Sequence, residues 1–95
     1  MAIKLRDLTR SIVQELVDRP DGVEVQETIS DGGQTIVLTV RTSDGDMGKV
    51  IGKQGRNAQA LRTILEAIAA KDKMRVVMEI ADSPNGSRRR NDARR

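Results

Sequence analysis

Leu5, Leu8, Ile12 and Leu16 recur at spacings of three and four, Val13 and Val17 lie beside them, and Arg6, Arg10, Gln14 and Asp18 fall on the other side. That period predicts an amphipathic helix. "RPDG" (Arg19 to Gly22) predicts its end through a proline and a glycine turn. "VEVQETIS" places Val23 and Val25 on one face and reads as a strand, and "SDGG" (Ser30 to Gly33) supplies residues that tolerate positive φ in a hairpin loop. "QTIVLTV" follows with Ile36, Leu38 and Val40 on one side and Thr35, Val37 and Thr39 on the other, a β-branched alternation that predicts a second strand.

"TSDGD" (Thr42 to Asp46) predicts a turn that caps a short helix starting near Asp46. Gly52 and Gly55 limit that helix to about Ile51. From Arg56 the helical period resumes, with Ala58, Leu61, Leu65 and Ile68 on one stripe and Ile64 and Ala69 flanking it, until the polar "KDK". "RVVMEI" (Arg75 to Ile80) alternates again and predicts the last strand. The order is helix, strand, strand, short helix, glycine loop, helix, strand. It predicts an α+β fold in which a three-stranded sheet packs against helices around one aliphatic core. The domain is expected over residues 1–81, and "DSPNGSRRRNDARR" (82–95), which has almost no apolar residue, is expected to be a disordered basic tail.

Composition narrows the function. The 95 residues contain no Cys, no His and no aromatic side chain. Disulfides and thiolate metal sites are excluded, the side chain that titrates nearest neutrality is missing, and aromatic base-stacking platforms cannot be built. These absences speak against an enzyme and imply no cofactor. No apolar run approaches the roughly 20 residues that cross a bilayer, and the N-terminus lacks the apolar core of a secretion signal, so a cytoplasmic location is expected.

Charge is sorted along the chain. Residues 1–80 carry twelve Lys/Arg and twelve Asp/Glu, and five arginines near the end, set against Asp82 and Asp92, supply the net +3. Within the neutral body, residues 1–40 hold four cations and seven anions, whereas Arg41, Lys49, Lys53, Arg56 and Arg62 face only Asp44 and Asp46 over residues 41–62. The glycines of "MGKVIGKQGR" lie inside that basic stretch, at the mouth of the long helix. The spacing fails the P-loop, which needs four residues between its glycines and then Lys-Ser/Thr, and it fails G-x-G-x-x-G. It suits a tight link whose backbone amides, aided by the helix dipole, attract anions. Lys53 and Arg56 add charge, with Lys49 one turn earlier. Val50, Ile51, Ala58 and Leu61 are expected to line an aliphatic cleft beside the loop, fit for unpaired bases.

"VIGKQGRNAQAL" (Val50 to Leu61) resembles the KH signature, and the element order is similar to the type II KH arrangement. More narrowly, "DMGKVIGKQGR" and the closing "RVVMEI" resemble the bacterial stand-alone KH proteins of the KhpA type over about residues 3–80. The resemblance implies a loop that clamps about four nucleotides of a single strand. Carried onto this chain, Gly52, Lys53, Gln54 and Gly55 bind the RNA backbone, Lys49 and Arg56 assist by charge, and Ile51 and Leu61 support the cleft. It also implies an RNA chaperone that works with a larger KhpB-type (Jag/EloR) partner in cell-envelope synthesis and cell shape.

Two rival readings stand beside RNA binding. A KH fold can serve chiefly as an assembly module, a homodimer among the options, if its apolar faces exceed what one small core buries. A phosphate-binding hydrolase lacks the magnesium hydroxyl and a carboxylate pair beside the loop. For the arginine-rich end, salt-sensitive phosphate attraction and a solvated terminus are both open.

Overall fold

The computed structural model describes residues 4–81, so the expected tail at 82–95 lies outside the described residues. Three helices and three strands follow one another: α1 (Leu5–Leu16), β1 (Glu24–Ser30), β2 (Thr35–Arg41), α2 (Met47–Ile51), α3 (Arg56–Lys71) and β3 (Arg75–Ala81). Single 3-10 turns at Pro20–Gly22, Asp31–Gly33 and Lys53–Gly55 fill the links. The α+β order expected from the sequence is the order observed.

The β-branched alternation of β2 makes it the central strand. Ile36, Leu38 and Val40 are buried, and their parallel partners on β3 are Val76, Met78 and Ile80. On the other side β1 runs antiparallel, with Val25 opposite Val40 and Ile29 opposite Ile36. The sheet order is therefore β1-β2-β3, a mixed sheet. A parallel neighbour demands a crossover, and the α2–α3 segment supplies it. The hairpin turns where positive φ was expected, at Asp31, Gly32 and Gly33 (57°, 64° and 94°). The Thr35 hydroxyl donates to the Asp31 carboxylate at 3.2 Å across this turn.

α1 buries a different line from the one that leucine spacing suggests, whereas α3 keeps Ala58, Leu61 and Leu65 of its expected stripe. On α1, Leu5, Thr9 and Val13 are the buried residues, whereas Leu8 and Ile12 are only partly covered. On α3, Ala58, Leu61, Leu65 and Ala69 are buried, while Ile68 is partly covered and Ile64 stays 49% exposed. Each helix has apolar residues over a wider arc than one sheet face can cover, so the outer part of each arc remains uncovered. Thr9 belongs to the inner line despite its hydroxyl, and neither its Oγ1 nor that of Thr42 has a hydrogen-bond partner among the described residues.

Candidate nucleic-acid interface

α2 is short because of its glycines. The Gly52 amide donates to the Gly48 carbonyl at 2.8 Å and closes the last turn, and Gly52 itself takes φ 79°, ψ 172°. That backbone region is essentially open to glycine alone. A second requirement acts at the same residue: a Cβ on Gly52 would stand 2.6 Å from Cγ of Asn57. The Asn57 amide is pressed there because its Nδ2 donates to the Lys49 carbonyl at 3.0 Å. Asn57 thereby ties the end of α2 to the first turn of α3, a role no sequence pattern announced.

Gly52 to Gly55 form a turn closed by the Gly55 amide donating to the Gly52 carbonyl at 3.0 Å. Gln54 (φ 58°) and Gly55 (φ 77°) both sit in the left-handed region. The amides of Lys53 and Gln54 precede the first bond of this turn and have no carbonyl within it to meet. Gly55 is also the N-cap of α3 and brings no side-chain cap; the Arg56 amide donates to the Lys53 carbonyl, and the helix dipole keeps this end of α3 positive. Lys53, Gln54 and Arg56 are exposed around this mouth, with Gly52, Gly55 and Ile51 half-buried.

The α2 entry is braced against the end of α1. Asp46, only 3% exposed, accepts the Arg19 amide at 3.0 Å. Its carboxylate is thus spent on the chain leaving α1, and α2 has no side-chain cap, contrary to the cap expected from "TSDGD". Gly22 packs against Ser43 closely enough that a Cβ there would collide with it. Lys49 makes an ion pair with Asp18, Nζ to Oδ2 3.4 Å.

These contacts sort the five cations of residues 41–62. Arg41 donates to Gln26 on the sheet and Arg62 donates to the Met78 carbonyl. Lys49, expected to assist by charge, is held by Asp18. Lys53 and Arg56 make no side-chain hydrogen bond or ion pair among the described residues, and both flank the glycine turn.

The expected aliphatic cleft is arranged differently. Val50 (0% exposed), Ala58 and Leu61 are core residues, because α2 and the first two turns of α3 press onto each other and the sheet. Of the four expected lining residues, Ile51 alone is half-exposed. A separate groove of about 180 Å³ lies between α1 and α3, lined by Ile12, Leu16, Asn57, Ala60, Leu61 and Ile64. It carries no charged residue.

The family model for the KhpA/KhpB KH domain matches residues 6–80. The chain belongs to this family. Among curated proteins, the RNA-binding protein KhpA of Caldanaerobacter subterraneus is 51% identical over 74 residues, covering 78% of this chain and 96% of the relative. The RNA-binding protein KhpA of Clostridium acetobutylicum is 49% identical over 76 residues (80% and 99%), and that of Aquifex aeolicus 49% over 78 (82% and 96%). The match takes in the segment that runs from α2 through the glycine turn into α3. No helix among the described residues is long and apolar enough to cross a membrane.

Proposed function

We propose that this KH domain binds single-stranded RNA by capturing the sugar–phosphate backbone at Gly52, Lys53, Gln54 and Gly55. The observation that carries the reading is the side-chain-poor turn at the positive end of α3, flanked by the two unengaged cations Lys53 and Arg56. Absence of bulk lets a phosphate approach the amides closely, and the cations add attraction that salt weakens. Bases then lie on Ile51, and Leu61, buried on α3, contributes through the core. The relatives are RNA-binding proteins by name, which supports RNA as the ligand. Ultraviolet cross-linking to RNA in cells should attach nucleotides to peptides spanning residues 49–62; attachment confined to other peptides would remove the loop from the site.

In this reading the protein is a non-enzymatic RNA chaperone or post-transcriptional regulator of the cytoplasm. It acts beside a KhpB-type partner in envelope synthesis and cell shape, as the family resemblance implies. Co-purification of a KhpB-type protein with the tagged chain tests that partnership.

A second reading, a homodimer, draws on the groove between α1 and α3. Its uncharged lining and the exposed Ile64 allow a second copy to pack by two-fold symmetry without like-charge cost. Light scattering behind size exclusion should then give twice the chain mass at micromolar concentration, and Ile64→Asp should return it to the monomer mass. A monomer mass for the parent protein at about 100 μM would end this reading.

A further inference from the structure

The phosphate-binding turn has a cation close by that it does not own. Lys49 sits on α2, one helical turn before Gly52, and its backbone carbonyl already accepts the Asn57 amide. Its ammonium reaches the other way, to Asp18 just past the end of α1, at 3.4 Å. Asp46 fixes that approach, since its buried carboxylate holds the Arg19 amide, next in sequence to Asp18. The carboxylate is therefore placed by a buried anchor, although the pair itself is open to solvent (44% and 73% side-chain exposure).

We propose that Asp18 is an affinity-limiting residue: it withholds Lys49 from the RNA backbone and sets a fixed negative charge beside the binding face. This rests on the loop reading above and refines it, because it leaves Lys53 and Arg56 as the cations that meet phosphate. Both parts act in the same direction. A lysine shared with a carboxylate contributes less attraction, and a carboxylate 3.4 Å from that ammonium repels a strand that the lysine would otherwise draw in. Such an exposed pair is weak, so the restraint is graded rather than absolute. Its use is to keep a small domain from gripping every polyanion it meets, so that occupancy depends on fit at the turn rather than on charge alone.

The test is Asp18→Asn in the full chain, titrated with a fluorescent single-stranded RNA at several salt concentrations. Affinity should rise about two- to five-fold at low salt, the scale of one exposed ion pair. The salt slope should steepen by about 0.7, the value for one added phosphate contact on a single strand. Adding Lys49→Ala to Asp18→Asn should cancel most of the gain, and Asp18→Glu, which keeps the carboxylate, should behave as the parent. Circular dichroism and the melting temperature check that each variant is folded. Unchanged or weaker binding by folded Asp18→Asn, or a gain that survives loss of Lys49 in full, overturns the proposal. Failure of the loop reading looks different: binding then persists when Lys53 and Gln54 are both replaced by Asp, whatever Asp18→Asn does.

Discussion

Replacing Lys53 and Gln54 together by aspartate should weaken single-stranded RNA binding by at least about ten-fold at moderate salt, with the fold intact. The change removes one cation and sets two carboxylates where phosphates are to lie, a swing of three charges at the turn. Long-range attraction from Arg56 cannot offset it. Folding should survive, because both positions are exposed and neither side chain makes a hydrogen bond or ion pair among the described residues. Gln54 has φ 58°, a conformation that Asp adopts more readily than most residues. Fluorescence anisotropy gives the affinity and circular dichroism the fold. Parent-like affinity in a folded variant would exclude the turn as the RNA site.

Gly52→Ala is expected to be the most damaging small change in the loop, lowering stability by about 2–4 kcal/mol. Two independent costs add. The alanine must hold φ 79°, ψ 172°, a region that L-residues resist. Its Cβ also drives Asn57 aside, since Cγ stands 2.6 Å away, and Asn57 then loses its bond to the Lys49 carbonyl. Gly55→Ala meets neither difficulty to the same degree: its φ of 77° with ψ 15° is the ordinary left-handed well, and nothing lies within 4 Å of a new Cβ. It should cost about 1 kcal/mol. Urea unfolding of both variants orders them, and equal losses would mean that Asn57 yields freely and does not brace the loop. The two glycines of the motif thus have separate reasons to be glycine.

Much of this architecture is written locally. The alternation over Thr35–Arg41 and the break at Gly52 fix where strand and helix run, because periodicity and backbone freedom are properties of neighbours in sequence. Residue choices that depend on distant partners were not legible. Thr9 outranks Leu8 in burial because the sheet, not the leucine spacing, selects which line of α1 faces inward. Asp46 looked like a helix cap and instead accepts an amide 27 residues away. The same limit explains the cations: charge counting gives five in the basic stretch, but only folded geometry shows that, among the described residues, Arg41, Lys49 and Arg62 are engaged and Lys53 and Arg56 are not. The parallel placement of β3 beside β2 was equally silent, since a strand's own alternation says nothing of its direction relative to a neighbour.

That direction has a consequence for where β3 ends. Because β3 runs the same way as β2, Ala81 stands opposite Arg41, at the margin of the sheet from which the chain goes on to α2 and the glycine turn. A reversed last strand would have ended beside Thr35 and the hairpin instead. Strand polarity here brings the finish of β3 to the same border of the sheet as the entry to the glycine turn.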